Sequence, residues 1–301
     1  MNKFSRVCIV GKYKSPEVAR PVAQVIEFLQ GEGVSCLVDD LTAQQLSGVK
    51  VDSGTMDDVV RRSDLVVVLG GDGTLLGLAR TVATHSVPLL GINLGRLGFL
   101  ADISLNKMVA SLRAVQQGEY VIDDRVMLDV RIDDEPGTGV WALNDISVGK
   151  GESGSLIQMK VTIDGEFAYD LRSDGLVVST PTGSTAYALS AGGPIIAPSV
   201  DCILLVPVCP HSLSNRPIVI PGSSTVEIEI MEAVDARVHI DSHTHVNIRE
   251  GGRLMIKVAT SKVRLVHSKG HEYFGTLREK LHWAGTKGSD AYNPRKLATH
   301  H

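Results

Sequence analysis

The chain has 301 residues, enough for one large domain or two ordinary ones. With 43 % hydrophobic and 21 % charged residues it has the make-up of an ordinary globular protein, and a net charge of −4 gives no reason to expect nucleic acid or an anionic membrane as partner. No apolar run approaches the roughly 18 residues of a membrane helix, and the start, MNKFSRVCIVGK, passes at once into a strand without a signal-peptide pattern, so a cytoplasmic protein is expected.

RVCIVG opens the chain as a short buried strand. Ser15-Pro16 reads as an N-cap and first-turn proline, and Val18, Val22, Val25, Ile26 and Leu29 follow as one helical stripe, with Pro21 expected to kink it. VSCLVD, LVVVLG and VPLLGI are further apolar, β-branched runs between helical segments, the pattern of parallel strands covered on both faces. From about residue 119 the pattern changes. YVIDDRVMLDVRID, VWALNDISV, LIQMKVTIDG, GLVVST, ILLVPV, VEIEIM and ARVHID are strand-like runs parted by Gly, Pro, Asp and Ser, as in a sandwich-like β domain. YFGTLREKLHWAG reads as a short closing helix, and residues 285–301, with His300 and His301, read as a polar tail. Cys8, Cys36, Cys202 and Cys209 fit no zinc or redox spacing and are expected as reduced core residues.

The third of those runs ends in Gly70-Gly71-Asp72-Gly73-Thr74 before a helical pattern. Glycine-rich strand-to-helix turns cradle phosphate with backbone N–H groups, yet a carboxylate in the middle of one repels that phosphate. Asp72 must hold a metal, take a proton, or point away as a turn or capping residue. A second junction of this kind runs DGLVVSTPTGSTAYALSAGGP over residues 174–194. Either cluster alone is a tight turn or a phosphate cradle; two of them, one per domain and each carrying hydroxyls or a carboxylate, argue against coincidence. Asn144-Asp145 interrupts a strand-like run, as a turn or as a pair placed to bind vicinal ribose hydroxyls. His239, Asp241, His243 and His245 alternate at period 2 and are expected on one face of a strand, either solvated or ligand-facing, or as a zinc site.

Taken together these segments resemble the NAD kinase family. The resemblance rests on Gly70 to Thr74, on Gly91-Ile92-Asn93-Leu94-Gly95 with Leu97-Gly98-Phe99-Leu100, on Asn144-Asp145, and on Asp174-Gly175 with Thr180-Pro181-Thr182-Gly183-Ser184-Thr185-Ala186-Tyr187. Ser190-Ala191-Gly192-Gly193-Pro194 and Leu277-Arg278-Glu279-Lys280-Leu281 add to it, and it runs from about residue 5 to 283. The first motif is shared with lipid kinases and 6-phosphofructokinases; the TPTGSTAY run is far more specific. Ser173, where glycine is common, and Asp241-Ser242-His243, where Asp-Gly-Gln is common, depart from the pattern.

The resemblance implies an α/β N-terminal domain with an open, mostly parallel sheet (1–118), an all-β, sandwich-like NAD-binding domain (119–268), and a C-terminal helix and tail returning to the first domain (269–301). It implies phosphoryl transfer from ATP or polyphosphate to the 2′-hydroxyl of the adenosine ribose of NAD, a divalent cation such as Mg²⁺, and a homo-oligomer, dimer or tetramer. It makes Asp72 the catalytic carboxylate and Gly70, Gly71, Gly73 and Thr74 the phosphate loop. Asp72 and Gly73 also touch NAD, together with Asn144, Asp145, Arg172, Asp174, Thr182, Thr185, Ala186, Tyr187, Ala188, Leu189, Ser190 and His243.

Overall fold

The computed structural model describes residues 3–95, 98–132, 140–151, 154–241 and 244–283. Of the positions singled out above, Leu97, Ser242, His243 and the tail from 285 onward lie outside the described residues. The chain forms two compact units, Met1–Lys269 and Gly270–His301.

In chain order the first unit begins β1 (Arg6–Gly11), α1 (Ala19–Gly31), β2 (Ser35–Asp39), α2 (Asp40–Ala43), β3 (Asp52–Gly54), α3 (Met56–Arg61), β4 (Leu65–Leu69), α4 (Asp72–His85), β5 (Leu89–Asn93), β6 (Ile103–Ser104) and α5 (Met108–Gln116). The β-rich part follows: β7 (Tyr120–Ile132), β8 (Val140–Ala142), β9 (Asp145–Lys150), β10 (Ile157–Ile163), β11 (Glu166–Ser173) and β12 (Gly175–Ser179). After the one-turn helix α6 (Tyr187–Ser190) come β13 (Cys202–Val208), β14 (Ile218–Pro221), β15 (Val226–Glu232), β16 (Ala236–Ile240), β17 (Thr244–Ile248) and β18 (Arg253–Ser268). The second unit holds α7 (Tyr273–Lys280).

Five parallel strands lie in the order β3-β2-β1-β4-β5. Their apolar runs are continuous because both faces are covered. Val7, Ile9, Val67, Leu69, Leu90 and Ile92 pack on one side with Val22, Val25, Ile26 and Leu29 of α1 and Leu112 of α5. Cys8, Val10, Val66 and Val68 pack on the other with α3 and with Leu75, Leu78 and Val82 of α4. Each such buried side chain contributes on the order of 1.5–3 kcal/mol relative to exposure. Pro21 does not kink α1. The chain winds as a 3₁₀ turn over Pro16–Val18, and α1 starts only at Ala19, so Pro21 falls in its first turn, where a missing N–H costs nothing.

The parallel sheet does not end at β5. Leu265 of β18 pairs in parallel with Leu89, and β18 pairs antiparallel with β7 and β15, so one 12-stranded sheet runs on to β10 and the edge strand β11. The register of β18 on β7 shifts between Val258 and Lys262. This bulge lets one end of the long ribbon serve the parallel sheet and the other the β-rich half. A second, six-stranded antiparallel sheet, β14-β13-β12-β9-β16-β17, packs face to face on it. Leu128, Met159, Val161, Ile228 and Ile256 from the first sheet meet Ile146, Val148, Leu176, Val178, Leu205 and Val238 from the second. The expected α/β half and β sandwich are both present. No described helix is long and apolar enough to cross a membrane. Cys8, Cys36 and Cys202 are buried as expected; Cys209 is not, because it follows β13 in a left-handed turn (φ 45°) that faces solvent.

Candidate active site

All five residues of β4 are buried, and the chain leaves the sheet at Gly70. A Cβ at Gly70 would overlap the side chain of Thr74, so only glycine lets the helix begin this close to the strand. Gly71 caps α4 in extended conformation, and its carbonyl accepts the Thr74 N–H at 2.9 Å. The loop thus ends a parallel strand at the N-terminus of a 14-residue helix, where the dipole and first-turn N–H groups favour an anion.

Asp72 is the first residue of α4, but its carboxylate does not cap its own turn. Oδ1 accepts the backbone N–H groups of Leu100 and Ala101, both at 3.0 Å, and Oδ2 that of Phe99 at 2.8 Å. Gly98 passes so near that a Cβ there would overlap this carboxylate. Asp72 therefore latches the 98–101 loop beside the N-terminus of α4. Three hydrogen bonds occupy three of a carboxylate's roughly four acceptor positions, leaving one for a ligand.

The second half of the site lies where the chain crosses between sheets. β8 belongs to the large sheet and β9 to the small one, and Leu143-Asn144 is the crossing. Asp241 holds it. Its Oδ2 accepts the N–H of Leu143 at 2.8 Å, and its Oδ1 those of Asn144 at 2.7 Å and Asp145 at 3.2 Å. His239, Asp241 and His245 do not share one strand: β16 ends at Ile240, Asp241 takes a left-handed turn (φ 50°), and β17 begins at Thr244. His239 and His245 face each other across that hairpin with ring centroids 5.9 Å apart.

The TPTGST segment is tied to the same crossing. Thr180 N–H donates to the Asn144 carbonyl at 2.9 Å, and Thr180 Oγ1 to the Leu143 carbonyl at 2.6 Å. Gly183 approaches so closely that a Cβ would overlap the Asn144 carbonyl. Thr182 is buried in the 3₁₀ turn Thr182–Thr185, and Thr185 Oγ1 donates to its carbonyl at 3.2 Å. In α6, Tyr187 and Ser190 are exposed and Leu189 is half-buried. Ala188 is fully buried against Val177, Cys202 and Leu204, so only its backbone can face a ligand. Helix α4 brings the two halves together: Leu75 and Leu78 share a core with Leu143, and Arg80 Nη2 donates to Thr244 Oγ1 at 3.2 Å.

Beside the crossing lies a cleft of about 450 Å³ whose lining includes Ser147, Lys150, Asp174, Tyr187 and His239. Lys150 Nζ sits 2.7 Å from Asp174 Oδ1. Burial, and then the neighbouring Asp241 carboxylate, push Asp145 up to about 7. Asp241 is also raised, because burial outweighs its three backbone hydrogen bonds and the nearby Arg80. Burial followed by the charges of Asp145, Cys209 and Asp174 raises Tyr187, which keeps its phenol as a donor. His239 is lowered by burial, His245 and Arg237, which favours neutral imidazole. Arg172, two residues before Asp174, lies exposed on β11 and is not among the cleft residues. Sequence reasoning missed Lys150 and Ser147, whose signal was only a position on the strand after Asn144-Asp145, and it missed the anchoring role of Asp241.

Comparison with known proteins places these features in context. The family model for the ATP-NAD kinase N-terminal domain matches residues 7–120, and that for the ATP-NAD kinase C-terminal domain matches residues 143–268. The chain is 44 % identical over 286 residues to an NAD kinase of Nitrosospira multiformis, covering 94 % of this chain and 97 % of that one. It is 45 % identical over 282 residues to an NAD kinase of Thiobacillus denitrificans, covering 93 % and 97 %. Among solved structures it resembles yeast NADH kinase complexed with NADH, with a TM-score of 0.83 at 28 % identity over 97 % of this chain and 91 % of that one. It also resembles an NAD kinase from Archaeoglobus fulgidus in complex with ATP, with a TM-score of 0.72 at 26 % identity over 93 % and 100 %.

Proposed function

The chain belongs to the NAD kinase family, and on that footing we propose that it transfers the γ-phosphoryl group of ATP to the 2′-hydroxyl of the adenosine ribose of NAD, giving NADP. The observation that carries this reading is the meeting, through α4, of a glycine-rich phosphate loop bearing Asp72 with the Asn144-Asp145 crossing. One offers an anion cradle and the other an amide and a carboxylate suited to vicinal hydroxyls. The triphosphate lies against Gly70, Gly71, Gly73 and Thr74 at the N-terminus of α4. Asn144 and Asp145 hold the adenosine ribose. Asp174, Thr182 and the segment from Thr185 to Ser190 line the rest of the dinucleotide. Asp72, through its remaining acceptor position, takes the proton of the attacking hydroxyl, a contribution typically worth about 10² to 10⁴. Phosphoryl transfer is otherwise mostly positioning and charge stabilisation.

A Mg²⁺ ion fits this donor set in one way. The carboxylate of the phosphate loop is largely committed to the 99–101 backbone, so Asp72 would offer the ion only its one remaining acceptor position and the other ligands would come from outside the chain. The ion would supply positive charge to offset that of the phosphates. ATP rather than polyphosphate as donor is supported by the ATP complex of the Archaeoglobus relative. We take the enzyme to work in the cytoplasm as a homo-oligomer, dimer or tetramer, with 1–118 as the phosphate-binding domain and 119–268 as the NAD-binding domain. Purified protein mixed with ATP, Mg²⁺ and NAD should yield a product oxidised by an NADP-specific dehydrogenase. No such product above a no-enzyme control would overturn the assignment.

A further inference from the structure

We propose that Asp102, His267, Asp123 and Arg125, the second and last of them buried, form a positioning relay that holds the Asp72 loop and the Thr182 loop in fixed relation. The proposal rests on the kinase reading above. None of the four is among the residues lining the cleft; they act through the loops they hold. The relay starts at the latch, since Asp102 directly follows the three residues whose N–H groups Asp72 accepts. Its Oδ2 lies 2.8 Å from His267 Nδ1. His267 stands on β18 and Asp123 on the adjacent β7; His267 Nε2 is 3.8 Å from Asp123 Oδ2, beyond hydrogen-bond length but within electrostatic range. Asp123 Oδ2 accepts the Nε–H of Arg125 at 2.8 Å and forms an ion pair with its Nη2 at 2.7 Å. The remaining arm of the guanidinium, Nη1, donates to Thr182 Oγ1 at 3.3 Å.

Arg125 and His267 are 3 % and 1 % exposed, so neither is a solvated surface charge. Thr182 in turn belongs to the turn that packs on Asn144, which Asp241 anchors. A nearly unbroken line of polar contacts thus joins the carboxylate at the phosphate cradle to the crossing that carries Asp145. Arginine suits the middle of such a line, because its rigid fork engages a carboxylate with two arms and leaves a third for a hydroxyl. In-line transfer needs donor and acceptor placed within a fraction of an ångström, and a misplacement of about 1 Å costs on the order of 10² in rate. The relay crosses the two longest strands, β7 and β18, beside the bulge at which they bend.

The test is a double-mutant cycle on kcat per folded active site, with thermal midpoints and KM for NAD and ATP taken on the same preparations. His267→Leu and Arg125→Met are each expected to lower kcat about tenfold, and the double variant to lose no more than either single one, since both break the same line. Additive losses, about a hundredfold in the double variant, would overturn the relay, as would kcat within twofold of wild type in folded single variants. If Arg125→Met does not fold, Asp123→Asn takes its place in the cycle. His267→Asn keeps a donor toward Asp102 and should recover kcat relative to His267→Leu, an outcome that lost packing alone does not give. Failure of the kinase reading is distinct, because it leaves the wild-type protein itself without NADP synthesis.

Discussion

Asp145 and Asp72 are the two side chains in which environment decides chemistry. Asp145 is buried beside Asp241 and titrates at about 7, whereas an unfolded aspartate titrates near 4. Folded protein therefore binds more protons than unfolded chain between roughly pH 4 and 7, and stability falls as pH rises across that window before levelling. Asp145→Asn removes this penalty, so its thermal midpoint relative to wild type should climb from pH 4 to pH 7; a constant difference would contradict the raised value. Ribose hydroxyls donate more strongly to a carboxylate than to a carboxylic acid, so KM for NAD should drop as pH rises through about 7. Asp145→Ala should weaken NAD use by about 10- to 100-fold, the equivalent of one hydrogen bond to a charged group, roughly 1.5–3 kcal/mol. Steady-state constants for NAD unchanged in folded Asp145→Ala would remove it from the ribose site. Asp72 differs from the turn residue that sequence alone allows. A residue capping its own helix would tolerate asparagine, but a carboxylate accepting Phe99, Leu100 and Ala101 would not. The amide keeps one acceptor oxygen and turns an NH₂ toward donors. Asp72→Asn should thus lose about 1–3 kcal/mol of stability as well as turnover, measured by denaturant midpoint.

At the scale of elements, the site depends on close backbone approaches that glycine permits. Gly183 packs on the Asn144 carbonyl, a backbone atom that cannot swing aside as a side chain would. Gly183→Ala should push the TPTGST turn off the crossing and lower kcat/KM for NAD at least about tenfold, with a smaller change in KM for ATP. A variant with wild-type constants would mean that the turn moves freely. The glycine motifs, the parallel strands β1, β2, β4 and β5 and most antiparallel strands were legible because apolar periodicity and turn residues report local structure directly. The run VWALNDISV reads as one strand, yet it is two strands in different sheets, and Asn144 sits at the crossing because the break there is tertiary. β3, β6, β11, β14, β17 and β18 were not legible. β11 is an edge strand with several exposed positions, and much of β18 alternates apolar with charged residues, a pattern that does not show it is the strand joining both halves. The Asp72 latch spans 27 to 29 residues and the relay joins positions up to 165 apart, so no local pattern could announce either.

At the scale of the whole molecule, the large sheet ends at β11, where Phe167 is 54 % exposed, and Met231 and Met255 lie exposed on strands of the same sheet. An open edge with apolar neighbours is a surface that proteins cover. Light scattering at micromolar concentration should give a multiple of the 32.2 kDa chain mass, two or four; a species of 32.2 kDa alone would refute the oligomer. Delivery of a phosphoryl group to NAD by the loop ending β4, with Asp72 making the step fast, is tested most directly by the initial rate of NADP formation from ATP, Mg²⁺ and NAD, read with an NADP-specific dehydrogenase, for wild type and folded Asp72→Asn side by side. The account predicts NADP from the wild type and a kcat lower by at least about 10² in the variant, with KM for NAD changed far less. No NADP from the wild type, or turnover of the variant within a few-fold of it, would contradict the account.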